Sequence, residues 1–166
     1  MGTDNTEIKK ILISGCLIGE KVKYNGLDNQ LSSKLIEQWT SEGRLVPICP
    51  EVEGGLPVPR NPVEILNGNG SDVLNGVAKA YDDKGNDVTE AFITGAEIAL
   101  KVVKEQRIDI AVLKERSPSC GSNSIYNGKF TGTKIDGMGV AASLLAMNGV
   151  KVFSEDELEN VADLLK

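Results

Sequence analysis

The chain has 166 residues, of which 25% are charged and 40% are hydrophobic, and this composition excludes a disordered or fibrous protein. The formal net charge of −6 disfavours general binding to nucleic acid, because phosphate contacts need clustered Lys and Arg. No histidine is present, so acid–base chemistry at a small-molecule site would fall to Asp, Glu, Lys, Tyr or Cys.

The N-terminal stretch MGTDNTEIKK lacks the basic and then apolar order of a signal peptide. No stretch approaches the ~18 consecutive apolar residues that a bilayer crossing needs, so we expect a cytoplasmic protein without a membrane segment. We expect residues 1–8 to form an N-terminal extension and residues 9–166 to form one domain, because domains commonly have about 100–150 residues.

Short apolar runs that end in turn-forming residues predict buried strands. KKILISG at 9–15 and RLVPICP at 44–50 are two such runs, and RIDIAVLKE at 107–115 is a third. Between the first two, the apolar residues of NQLSSKLIEQWTSE recur at helical spacing and predict a helix over 29–42.

The middle of the chain is less regular. Residues 54–76 are rich in Gly, Pro and Asn-Gly pairs, which predicts an irregular active-site loop. Residues 77–88 predict a hairpin that turns near 83–85. Thr89 is expected to cap a helix that runs from Glu90 to about residue 106.

The C-terminal part continues the alternation of strands and helices. SIYNGKFTG at 124–132 predicts a hairpin on its Asn-Gly turn, and residues 137–149 predict a helix. VKVF at 150–153 predicts a last strand, before an amphipathic helix at 155–166. The whole order predicts an α/β fold, a single three-layer Rossmann-like domain with a mainly parallel sheet.

All three cysteines follow predicted strands: Cys16 in SGCLIG, Cys49 in ICPEVEGG and Cys120 in SPSCGS. Because ligands bind beyond the carboxyl ends of parallel strands, we expect the three thiols to converge. Free cysteines often serve as small buried hydrophobes, but these polar contexts favour reactive or metal-binding thiolates. Three thiolates suit zinc with a water, or an iron–sulfur cluster with one iron lacking a protein ligand, and their spacing does not decide between these.

Polar residues near the cysteines are candidates for catalysis. Glu51, two residues after Cys49, is either an acid or base or a solvated turn carboxylate. Ser117 and Ser119 are either turn residues or proton relays, and Arg60 either holds an anion or a carbonyl or is a surface charge. A cluster with an open iron would act as a thiophilic Lewis acid, which suits a substrate that bears sulfur.

Three segments, SGCLIGEKVKYNG, CPEVEGGLPVPRNPVEI and LKERSPSCGS, resemble in order and spacing the thiouracil desulfidase family, over about residues 10–153. The resemblance implies a [4Fe-4S] cluster held by Cys16, Cys49 and Cys120, with one iron lacking a protein ligand and free to bind the substrate sulfur. It also implies a non-redox reaction, in which 2- or 4-thiouracil gives uracil and sulfide.

The same resemblance implies catalytic roles for Glu51 and Ser117. We further assign Ser119, Arg60 and Tyr24 to substrate binding and expect the partner to be a small thiolated nucleobase. The chain carries lysine and asparagine in KYNG where the family usually has arginine and aspartate, and we expect this difference to change contacts with the substrate.

Two other functions stay open at this point. A zinc hydrolase could use the same three cysteines, although the chain lacks the ligand spacing of zinc deaminases. A module that stores or passes on a cluster or sulfide would need no catalysis. Bound iron with labile sulfide would exclude the zinc enzyme, and turnover would exclude the module.

Overall fold

The computed structural model describes residues 8–27 and 29–166, so residues 1–7 of the predicted extension lie outside the described part. None of the helices described has both the length and the hydropathy that a membrane crossing requires. The strands are β1 (Ile11–Ser14), β2 (Leu45–Ile48), β3 (Val63–Leu66), β4 (Lys79–Asp82), β5 (Ile110–Leu113), β6 (Ser124–Tyr126), β7 (Lys134–Asp136) and β8 (Lys151–Ser154). The helices are α1 (Lys34–Ser41), α2 (Pro50–Glu53), α3 (Gly70–Leu74), α4 (Thr89–Gln106), α5 (Val140–Met147) and α6 (Leu158–Leu165), with 3-10 turns at Gly15–Ile18 and Glu155–Glu157.

A four-stranded sheet in the order β2-β1-β5-β8 forms the centre, and all its neighbouring strands are parallel. Side chains alternate between its two faces. Ile11 and Ile13 of β1 pack in a cluster with α1 and α6, whereas Leu12 packs in a second cluster with α4 and α5. Helices therefore cover both faces, and the predicted three-layer Rossmann-like α/β fold is confirmed.

The prediction of an irregular loop over 54–76 is wrong, because this segment contains β3 and α3. Val63 and Ile65 of β3 are buried, and the strand pairs antiparallel with β4. Asn69 caps α3 by accepting a hydrogen bond from the Asp72 backbone N–H, and the Asp72 side chain accepts one from the Asn69 backbone N–H. Asn-Gly pairs suggested only turns, although asparagine is also a strong helix cap.

The second half of this small sheet also differs from the prediction. β4 pairs with β3 along its length, in addition to the expected hairpin. In that hairpin Tyr81 and Asp87 form an antiparallel bridge, and backbone hydrogen bonds join Val88 N–H to the Ala80 carbonyl oxygen and Asp82 N–H to the Asn86 carbonyl oxygen. The expected cap at Thr89 is wrong: α4 begins at Thr89, and its hydroxyl accepts a hydrogen bond from the Ala80 backbone N–H at 3.0 Å. Thr89 therefore ties α4 to β4.

The predicted turn near 83–85 is built on the carboxylate of Asp82. Four hydrogen bonds to this carboxylate outweigh the effect of burial and lower the pKa of Asp82 to about 2. The largest effect comes from the Asn86 side chain, and the other donors are the Asn86 backbone N–H, the Asn61 side chain and the Lys84 backbone N–H. A lowered folded-state pKa stabilises the protein above the unfolded pKa of about 3.9, and this contribution is lost as pH falls toward 2.

We therefore expect Asp82→Asn to lower the urea unfolding midpoint at pH 7, and the difference from wild type to shrink at pH 3. The neighbouring exposed Asp83 supplies the control, Asp83→Asn, which should change the midpoint little at either pH. Urea titrations followed by circular dichroism measure both. A difference that is the same at pH 7 and pH 3 would show that the charge of Asp82 does not stabilise the turn.

The predicted hairpin at 124–132 is present as β6 and β7, which pair antiparallel. A longer loop than the Asn-Gly turn alone joins them, residues 127–133. This loop packs closely on β3, since a Cβ at Gly128 would lie 2.5 Å from the backbone oxygen of Ile65. Tyr126, Phe130 and Gly132 of the hairpin line a cavity together with residues that follow β1, β2 and β5.

Candidate active site

The three cysteines lie at the carboxyl ends of three neighbouring strands, with β1 between β2 and β5. Cys16 lies in the 3-10 turn after β1, Cys49 is the residue before α2, and Cys120 follows β5 through a turn. All three line one cavity of about 570 Å³, a volume typical of small-molecule sites. Residues that are 33 and 71 positions apart in the sequence thus meet at one edge of the sheet.

The surroundings of the cysteines disfavour free thiolates. Cys16 and Cys120 are only 8% and 5% exposed, and burial raises the pKa of all three thiols. Asn29 donates a hydrogen bond from Nδ2 to Cys16 Sγ at 3.5 Å, and Cys49 Sγ contacts the Val22 carbonyl oxygen at 3.8 Å. The thiols are not paired in disulfides. A bound metal would supply the positive charge that such thiolates need.

A single metal ion and an iron–sulfur cluster require different arrangements of the cysteine thiols. Within residues 8–27 and 29–166, no three His, Cys, Asp or Glu side chains are placed to hold one metal ion together. Four-coordinate zinc would need its sulfur ligands around one point, at about 2.3 Å each. In an iron–sulfur cluster each cysteine binds a different iron, so the thiols need not surround one point. Three cysteines at one cavity leave zinc and an iron–sulfur cluster both open at this point.

Glu51 and Ser117 meet beside the cysteines. Ser117 Oγ donates to Glu51 Oε1 at 3.4 Å and accepts hydrogen bonds from the backbone N–H groups of Ser119 and Cys120 at 3.1 and 3.0 Å. Arg60 donates to Glu51 Oε2 from Nε at 3.0 Å and from Nη2 at 2.8 Å. One carboxylate oxygen is thus held by the guanidinium, and the other faces the serine.

The residues assigned to substrate binding lie in three different settings. Arg60 lines the cavity, but its guanidinium makes hydrogen bonds to Glu51 and to two backbone carbonyls, so its geometry suits orienting Glu51. Tyr24 lines the cavity and is 43% exposed. Ser119 is fully buried away from the cavity lining, and its hydroxyl has no hydrogen-bond partner in the described part of the chain. A substrate contact by Ser119 has no support in this geometry.

Lys114 also lines the cavity, although the sequence did not single it out for a role. Its Nζ pairs with Glu155 Oε2 at 2.9 Å, and both side chains are mostly buried. Its backbone N–H donates to Ser14 Oγ at 2.9 Å, which links the ends of β5 and β1. No local pattern predicts this network, because Lys114 and Glu155 lie on different strand ends that only the fold brings together.

Glu115 organises the segment that carries Ser117 and Cys120. The side chain is 8% exposed, and burial opposes its ionisation, but hydrogen bonds from backbone and side-chain donors, those of Asn123 foremost, lower its pKa overall. This buried carboxylate joins the two ends of the turn over residues 116–124. Its Oε1 accepts hydrogen bonds from the backbone N–H groups of Arg116, Ser122, Asn123 and Ser124 at 3.2, 3.2, 3.0 and 3.0 Å.

Comparison with known proteins gives consistent matches across the chain. The sequence model of the 2-thiouracil desulfurase family matches residues 11–157. A Bacillus subtilis (strain 168) protein, the uncharacterized protein YbbK, is 47% identical over 151 residues, which cover 91% of this chain and 99% of that protein. The solved structure of TudS, a [4Fe-4S]-dependent thiouracil desulfidase, is similar with a TM-score of 0.86 and 42% identity, covering 95% of this chain and 97% of that one. The matched range includes all three cysteine segments.

Proposed function

Because the chain belongs to the 2-thiouracil desulfurase family, we propose that it removes the sulfur atom of 2- or 4-thiouracil and releases uracil and sulfide. The observation that carries the proposal is the single cavity at which the three cysteines meet the hydrogen-bonded pair of Glu51 and Ser117. The likeness to a [4Fe-4S]-dependent desulfidase supports the same chemistry here.

Cys16, Cys49 and Cys120 would hold a [4Fe-4S] cluster with one iron lacking a protein ligand. When bound, such a cluster supplies a thiophilic Lewis acid that can bind the substrate sulfur and polarise its bond to carbon. The buried ammonium of Lys114 lies near Cys16 and favours its thiolate. Asn29 adds a hydrogen bond to the same sulfur.

In this proposal Glu51 and Ser117 carry out the proton transfers of the reaction. Arg60 fixes Glu51 Oε2, so that Oε1 is free to accept a proton from the attacking water and to exchange it with Ser117 Oγ. The serine then passes a proton toward the departing sulfur. One water is consumed and one hydrogen sulfide leaves, while C=S becomes C=O, so no electrons are gained or lost.

We expect Glu51→Gln to lower kcat for 2-thiouracil by about 10² to 10⁴-fold, the usual contribution of a general base, with the iron content unchanged. Anaerobic assays of uracil formation and sulfide release, paired with iron analysis, measure both effects. Glu53→Gln is the matched control, since Glu53 is exposed on the same short helix. Wild-type turnover in Glu51→Gln would remove Glu51 from the mechanism.

A further inference from the structure

Aromatic side chains are concentrated at the cavity. The chain has only one Trp, three Tyr and three Phe, yet Tyr24, Tyr126 and Phe130 all line this cavity. Tyr24 and Phe130 come from separate loops and are 43% and 37% exposed. Trp39 and Phe92, in contrast, are fully buried in the core. The cavity therefore presents flat apolar surfaces that no part of the described protein covers.

Phe130 has an unusual backbone conformation for a bulky residue. Its φ is 57°, in the left-handed region that favours glycine and that L side chains rarely adopt. Strained conformations of this kind persist only where the surroundings hold them, and they are frequent at ligand-binding sites. The structure must therefore supply contacts that keep Phe130 in this conformation.

Glu64 of β3 supplies those contacts. Its Oε1 accepts hydrogen bonds from the backbone N–H groups of Gly128 and Phe130 at 3.0 and 3.1 Å. A carboxylate acceptor makes stronger hydrogen bonds than a neutral one. Gly128 also packs closely on the backbone of β3, which adds a second contact between this loop and the strand. Glu64 thus holds the backbone of Phe130 at the cavity, which Glu64 also lines.

We propose that Phe130 and Tyr24 stack on the flat ring of the substrate, with Glu64 as the residue that positions Phe130. The site would then select planar, unsaturated heterocyclic thiocarbonyl compounds over small acyclic ones such as thiourea. Stacking suits this role because every nucleobase has a π-face, and the contact needs no particular pattern of hydrogen bonds. The inference rests on the proposed desulfidase function and names what that site selects.

Two kinetic comparisons test the roles of Phe130 and Glu64. Phe130→Leu keeps an apolar side chain but loses the ring, and we expect it to raise KM for 2-thiouracil about tenfold with kcat nearly unchanged. Phe130→Tyr should restore KM. Glu64→Ala should raise KM in the same way, and Glu64→Gln should restore part of it, because its amide oxygen still accepts. Ile135→Ala is the control, since Ile135 lies on the same hairpin, is 36% exposed and does not line the cavity.

Binding of uracil to the cluster-free protein, measured by calorimetry, separates this inference from the proposed function. Weaker uracil binding in Phe130→Leu than in wild type would support stacking on Phe130 even if the reconstituted enzyme released no sulfide. If wild type turns over 2-thiouracil and Phe130→Leu keeps the same KM, the stacking role is overturned and the desulfidase stands. Uracil binding that is unchanged in Phe130→Leu, or that is undetectable in the wild-type protein, would equally overturn the stacking role.

Discussion

Glu115→Gln is expected to lower the free energy of unfolding by about 2 to 4 kcal/mol and to reduce the cluster content of the reconstituted protein. Glutamine keeps the shape of the side chain but loses the charge that four backbone N–H groups share. Its amide would also direct N–H donors at the side-chain nitrogen of Asn123, which now donates to Oε2 at 2.7 Å. The turn that places Ser117 and Cys120 would loosen.

Urea unfolding of the cluster-free protein and iron analysis after reconstitution measure the two effects. Glu159→Gln, on the exposed side of α6, is the control and should change neither quantity. Because the pKa of Glu115 is lowered in the folded state, its stabilising contribution is present above the ordinary glutamate pKa of about 4.3 and is lost at lower pH. A Glu115→Gln variant with wild-type stability and iron content at pH 7 would contradict this role.

Gly95→Ala is expected to destabilise the protein by about 3 kcal/mol and to lower turnover at least about tenfold. α2 and α4 approach so closely that a Cβ at Gly95 would overlap the carbonyl oxygen of Pro50. The obstacle is backbone, so no side-chain rotation relieves it. Since α2 starts directly after Cys49 and carries Glu51, moving this helix displaces the proposed cluster ligand and the proposed base together.

Thr94→Ala is the matched control for the helix contact, because Thr94 is exposed on the same helix. Thermal unfolding and sulfide release should show little change in this variant. Full stability and turnover in Gly95→Ala would mean that α2 tolerates a shift, and that the close contact with α4 does not set the position of Glu51.

The central sheet could be predicted from the sequence because its signals are local. Each core strand is a short apolar run that ends in turn-forming residues, and alternation with helices favours parallel pairing. Once the strands were assigned, the general position of ligand sites in α/β sheets placed Cys16, Cys49 and Cys120 together. The structure brings the three to one cavity.

The features that the sequence did not reveal depend on contacts between distant residues. β3 is a strand because it pairs with β4. The Asn-Gly pairs that follow β3 in the sequence do not indicate this partner. The hydrogen bonds between Arg60 and Glu51 could not be predicted from the sequence, because only the fold brings the two side chains together. Glu64 and Phe130 lie 66 positions apart, so their hydrogen bond has no local signature. Side-chain networks of this kind are specified by the fold and not by spacing along the chain.

Iron and labile sulfide analysis after anaerobic reconstitution, together with sulfide release from 2-thiouracil, tests most directly whether three cysteines hold a catalytic cluster. We predict about four irons per wild-type chain and repeated turnover. Cys16→Ser, Cys49→Ser and Cys120→Ser should each lose most of the iron and all of the turnover. Full iron content and activity in any one of these variants, or turnover by a zinc-loaded and iron-free protein, would contradict the three-cysteine cluster.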